Sequence, residues 1–326
     1  MKTRFVLFLA AAMLPFTKIA AQEQPIVQEA ALSPSGERLA FILNDGERSE
    51  VLLYDFGSDS IQRLTDSGET AASLSSKSSL NWIDESRILF LSKHTGLFQQ
   101  YVIDTRDMTM TPNGTSGVSE YDLVYYDGRS YYIQFSPPAG NRIFYREAGG
   151  AAHMLTTRQQ TYSMLRLSPD GRYATVQESP DMGTVIIDIA TGKAVRSKLP
   201  AANTILLAWA PGGDRFLYTE AKFDIYTGGA TEYLAIYNID SQKSTQLGSD
   251  SNNFVVGAIW APYADKFLYV KGTSCRICDA QGNELKSITV EGRPLCWMPD
   301  MRRAVFTNGP EIFMLDTENS ALRSLY

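Results

Sequence analysis

The stretch Leu167-Ser168-Pro169-Asp170-Gly171-Arg172-Tyr173-Ala174 decides how this chain is read. An apolar strand end runs into Pro-Asp-Gly, and a second strand begins at once. Pro fixes φ and Gly supplies the positive φ that reverses the chain, so the stretch reads as a turn between antiparallel strands. A second copy stands at Ala31-Leu32-Ser33-Pro34-Ser35-Gly36-Glu37-Arg38-Leu39-Ala40-Phe41. Degenerate copies follow at Trp82-Ile83-Asp84-Glu85, Tyr125-Tyr126-Asp127-Gly128, Trp209-Ala210-Pro211-Gly212-Gly213, Trp260-Ala261-Pro262-Tyr263 and Trp297-Met298-Pro299-Asp300. Together they make about seven repeats.

A second pattern keeps step roughly 20 residues further on, where a β-rich run ends in a large apolar residue followed by Asp or Asn. Clear copies are Tyr54-Asp55, Ile103-Asp104, Ile187-Asp188, Tyr237-Asn238, Cys278-Asp279 and Leu315-Asp316. The third repeat departs from the pattern and offers Tyr145-Arg146 in the equivalent place. Markers at 32, 82, 125, 167, 209, 260 and 297 lie about 37 to 51 residues apart, the length of four short strands and their turns. The expected fold is therefore all-β, a seven-bladed propeller of four-stranded antiparallel blades, with six blades as the alternative count.

Ser-Pro-Asp-Gly-Arg followed by apolar-Asp and the turn Thr191-Gly192-Lys193 resembles the repeat of TolB-like propellers, and also that of the propeller domains of dipeptidyl-peptidase-like proteins. The resemblance spans nearly all of the chain after its leader. It implies a scaffold, a receptor or an enzyme cap, and so speaks for architecture more than for activity. The stretch between Ala21 and Ala31 has no room for the N-terminal domain of TolB, and no hydrolase domain is expected.

Lys2 and Arg4 precede an apolar run from Phe5 to Phe16, and the small residues Ala20 and Ala21 follow. This reads as a secretory signal peptide over residues 1–21, cleaved after Ala21, with a single propeller domain over 22–326. The run is shorter than a membrane span needs, and no cysteine follows the cleavage point as a lipoprotein would require. A periplasmic or secreted protein without a membrane span is expected. Removing the leader takes the formal net charge from −6 to about −9, which argues against nucleic acid as partner.

Aligned repeats dispose of the conspicuous residues. Trp82, Trp209, Trp260 and Trp297 share one repeat position with Leu32, Tyr125 and Leu167, so they read as packing between blades. Cys275-Arg276-Ile277-Cys278 would lie along a strand with its thiols on opposite faces, unlike a redox motif that opens a helix. With Cys296 the thiols number three, and a bridge from Cys278 to Cys296 stays open. Only two histidines occur, His94 and His153, too few for a histidine metal cage. Asn113-Gly114-Thr115-Ser116-Gly117 imitates a nucleophile elbow only superficially. No catalytic residue, cofactor or metal is expected.

Alternation of antiparallel strands sends the loops between second and third strands, and those between blades, to one face. The longest elements fall there: Asp66 to Ser79, Lys93-His94-Thr95-Gly96-Leu97-Phe98, and Lys222 to Gly229. Phe223, Asp224 and Tyr226 are the leading candidates for recognition, with His94 and Phe98 beside them. The expected role is a non-catalytic binding or scaffold protein of the bacterial cell envelope that takes a protein, peptide or glycan on this face. The alternatives are a carbohydrate-active hydrolase or lyase with carboxylates in the funnel, and a purely structural subunit of an envelope complex.

Overall fold

A computed structural model describes residues 24–45, 49–65, 80–93, 96–135, 140–157, 160–200, 202–223, 230–250 and 254–326. Seven sheets of four strands follow one another along the chain, each ordered first to fourth strand without crossover. The blades span Ile26–Arg63, Asn81–Pro112, Glu120–Met154, Tyr162–Ala194, Thr204–Asp250, Val255–Thr289 and Arg293–Ser324. Their first strands stand side by side around an axis, and the seventh meets the first, closing a seven-bladed β-propeller.

The second strand of each blade explains the ring. Arg38–Asn44 reads Arg-Leu-Ala-Phe-Ile-Leu-Asn, apolar at successive positions rather than at alternate ones. Side chains of a strand alternate between faces, so a run of this kind must be covered on both sides. Leu39 and Phe41 enter the layer shared with the seventh blade, while Ala40 and Ile42 enter the layer shared with the second. The pattern recurs around the ring, giving an apolar layer at each blade junction. No blade can bury both faces alone.

The recurrent turn is structural, as its composition indicates. In the first and fourth blades Ser33 and Ser168 open it, and Gly36 and Gly171 adopt φ of 75° and 69°. A Cβ on Gly36 would fall on the Pro299 ring of the preceding blade, and one on Gly171 on the Tyr126 ring. Glycine thus serves both the backbone and the close approach of neighbouring blades. The Asp or Asn that ends the third strand accepts amides of its own turn: Asp55 from Ser58, Asp188 from Thr191, Asn238 from Ser241 and Asp279 from Asn283, each at 2.8 Å.

The third blade corrects one expectation. Arg129 pairs with Glu147 as Arg38 pairs with Asp55 and Arg87 with Asp104, so Arg146-Glu147, not Tyr145-Arg146, is the equivalent dipeptide. The outer turn is intact, with the Gly150 amide donating to Glu147 O at 2.9 Å. Arg146 therefore occupies the site that Tyr54, Ile103, Ile187, Tyr237, Cys278 and Leu315 fill elsewhere. Its side chain is 4% exposed and pairs at 3.2 Å with Glu120, which is wholly buried. The guanidinium also donates to Tyr132 Oη at 3.0 Å, to Asn113 O and to Thr115 Oγ1. Here a polar network stands in for apolar bulk, and the second-third layer has four buried apolar residues among the described ones.

Four Trp side chains confirm the packing role. Trp82 Nε1 donates to Ala31 O of the first blade at 2.9 Å, and Trp297 Nε1 to Ile259 O of the sixth at 3.3 Å. A basic residue from the preceding blade covers three of the rings: Arg38 over Trp82, Arg215 over Trp260 and Lys266 over Trp297. Trp209 lacks this cation because Tyr173 holds the corresponding position in the fourth blade.

Two outcomes follow. Removing the Glu120 carboxylate leaves a buried charge without its partner, so Glu120→Ala should cost about 3–5 kcal/mol in urea unfolding. Replacing Glu120 and Arg146 together by Leu should recover most of that loss. For the turn carboxylates, hydrogen bonding from Arg106 holds Asp104 at about 2, and bonding from Arg302 does the same for Asp316. A folded pKa below the unfolded value of about 3.9 means stability present above that pH and lost as pH falls. Circular dichroism should show stability flat above about pH 4 and falling toward pH 2.

Candidate functional site

Each inner strand presents an unpaired edge to the axis, and side chains of neighbouring blades satisfy part of it. Asn81 accepts the Tyr125 amide at 2.9 Å and donates to Leu123 O at 3.2 Å. Asp122 accepts the Met164 amide at 2.6 Å, and Glu232 accepts that of Val255 at 2.6 Å. Gln177 donates to Thr204 O at 2.7 Å, and Glu29 accepts the Leu80 amide at a long 3.4 Å. Closure of the ring follows the same rule. Arg293 donates to Val27 O at 3.2 Å and Gln28 O at 2.8 Å, and the Val27 amide donates to Gly309 O at 2.9 Å.

Most of the inner strands carry a register irregularity, as between Val27 and Glu29, Ser163 and Arg166, or Val255 and Gly257. A bulge re-aims side chains that would otherwise enter the layers between blades. Asp122 and Met164 sit at such irregularities with φ of 49° and 58°. Residues at and beside these irregularities gather around a cavity of about 750 Å3, lined by Ile26, Gln28, Glu29, Met164, Arg166, Val256 and Arg293 among others. It opens where the inner strands begin, on the face of the second-to-third-strand loops.

That face also holds seven of the large apolar side chains that stay exposed: Ile26, Leu97, Phe135, Met182, Ile205, Phe254 and Val256. On the opposite face only Met108 and Tyr263 belong to this group among the described residues. The others lie on the outer strands or at the chain end. Ile26 and Val256 also line the cavity, and exposed apolar groups gathered on one face are what an interaction surface presents.

Of the residues picked from sequence, Phe98 is half-buried against Tyr121 of the third blade, ring centroids 5.7 Å apart, with the Lys93 ammonium 5.8 Å from its centre. It belongs to a blade junction. Phe223 ends the second strand of the fifth blade, which with its partner Ala230–Asn238 is nine residues long. Asp224, Tyr226 and His94, the side chain of Phe223 and the connection 66–79 lie outside the described residues. His153 is stacked on Tyr145 in the outer part of the third blade, away from the axis. Glu29, Arg166 and Arg293 were missed. Arg166 carried a signal, since it stands where other repeats place Ala31, Val124, Ala208 and Ile259, whereas Glu29 and Arg293 fall at positions whose residue type varies from repeat to repeat.

The cysteines pack in three different layers: Cys275 between the sixth and seventh blades, Cys278 between the fifth and sixth, Cys296 between the seventh and first. All three are free thiols, so the bridge between Cys278 and Cys296 left open by the sequence is not formed. Burial pushes them up to about 12, 11 and 12 respectively. No group of three His, Cys, Asp or Glu suited to a metal ion occurs among the described residues.

No protein-family model matches the sequence, and no curated protein matches it. Solved structures do match in shape. An oligogalacturonate lyase from Vibrio parahaemolyticus superposes with a TM-score of 0.64 at 10% identity, over 92% of this chain and 91% of that one. A chain of Kuenenia stuttgartiensis hydrazine synthase gives 0.63 at 15% identity, over 95% and 97%. A prolyl endopeptidase gives 0.60 at 13% identity, over 92% of this chain and 49% of the peptidase. These likenesses establish the propeller fold. Thiol titration with a chromogenic disulfide should find no fast-reacting cysteine in the native protein and three after denaturation.

Proposed function

We propose that this chain is an exported, non-catalytic binding or scaffold protein of the cell envelope, TolB-like in its repeat, which receives a polypeptide partner on its loop-rich face. The observation that carries the reading is the one-sided distribution of exposed apolar side chains, on the face where the axial cavity opens. Burying such a rim supplies association energy without needing a reactive group, and aliphatic and aromatic anchors around a concavity suit a protein better than a sugar. Lys2, Arg4 and the apolar run after them support export.

The funnel carboxylates favour this reading over turnover of a glycan. Asp122 and Glu29 both accept backbone amides across blade junctions, a use that ties them to the scaffold.

Capture from an envelope extract by immobilised protein tests the proposal. Phe254→Asp and Ile205→Asp should each reduce recovery of the partner at least fivefold, while Tyr263→Ala on the opposite face should not. Equal recovery with all three variants would remove the loop-rich face from the account. Measurable turnover of oligogalacturonate or another glycan, abolished by Asp122→Asn, would replace it with an enzyme.

A further inference from the structure

The axial cavity differs in chemistry from the apolar rim above it. Ile26, Val27, Met164 and Val256 give it an apolar side. Its charged lining is Arg166 from the fourth blade, Arg293 from the seventh and Glu29 from the first. Two guanidiniums therefore share the lining with one carboxylate, a local positive excess in a chain of formal net charge −6. Asp122 draws on Arg166 too, but it does not line the cavity, and its Oδ2 is held by the Met164 amide. Burial lowers both arginines, and although Glu29 acts to raise each of them, and Asp122 to raise Arg166, lowering prevails.

We propose that this cavity binds an organic carboxylate with an apolar body, the anion directed to Arg166 and Arg293 and the body to Ile26, Met164 and Val256. The inference rests on the loop-rich face being a binding face, and it names the ligand chemistry at its centre. A guanidinium meets a carboxylate through paired, charge-assisted hydrogen bonds that strengthen away from bulk water. The volume of about 750 Å3 exceeds what a small inorganic anion fills and matches a ligand of several residues' size. The C-terminal end of a polypeptide and a free carboxylic acid both carry this chemistry.

Calorimetry on the full chain distinguishes them with four probes: acetyl-Ala-Leu-Phe as the free acid, the same peptide as its C-terminal amide, octanoate, and inorganic phosphate. Saturable binding of a carboxylate probe is expected, with the peptide acid at least tenfold tighter than its amide and phosphate weaker than either acid. Tighter binding of the peptide acid than of octanoate assigns the site to a chain end, and the reverse order to a free acid. Arg166→Gln and Val256→Trp should each weaken the better acid at least tenfold. Arg293 is left intact because its bonds to Val27 and Gln28 help close the ring. If Arg166→Gln does not fold, the acid-amide comparison and Val256→Trp decide alone. Equal affinity for acid and amide, no saturable binding of either acid, or unchanged affinity in the folded variants would overturn the inference. Capture through Phe254 and Ile205 that persists beside such a result would remove the carboxylate site and leave the binding face standing.

Discussion

Every blade has two apolar faces, and that constraint organises the molecule. A strand such as Arg38–Asn44 has no polar side to offer water, so each sheet must be covered by a sheet on either hand. A ring satisfies this for all seven without terminal blades, provided that the first and last meet. They do so through packing of Leu39, Phe41, Val305 and Met314, and through bonds from Arg293 and Gly309 to the first inner strand. Among the described residues no strand is exchanged between the two blades, so closure relies on this packing and these few bonds rather than on a shared sheet.

The same geometry creates a second problem, the open edges. Toward the axis, Asn81, Asp122, Glu232 and Arg293 satisfy backbone groups from neighbouring blades. Toward solvent, most outer strands have two to four residues, and the two longer ones, Lys243–Asp250 and Glu284–Thr289, carry register shifts. Short and bulged strands are poor templates for pairing with another chain. Polar residues near the axis are thus partly scaffold, and Asp122 or Glu29 cannot be read as catalytic from position alone. Arg166 and Arg293 also line the axial cavity.

Blade count, strand order, the turns and the packing role of the tryptophans were legible in the repeat, because each is a local pattern copied along the chain. Misplacing the third repeat by one residue came from the same method. Arg146 broke the apolar-Asp pattern, and only strand register shows that it stands in the core with Glu120 as its partner. The loop residues picked by length and the cavity on the same face are different sets. Phe98 packs in a junction, whereas the cavity is built by Glu29, Arg166 and Arg293 from strands about 137 and 127 residues apart in sequence.

The sequence by itself determined the architecture, since period-two patterning and turn chemistry act within a few residues of one another. It also placed the tryptophans in the packing between blades, because repeat alignment compares like with like. Tertiary structure alone decided which inner-strand side chains meet at the axis, since bulges and ring closure set that convergence. It also decided that the exposed apolar groups gather on one face, because exposure depends on what the other blades cover.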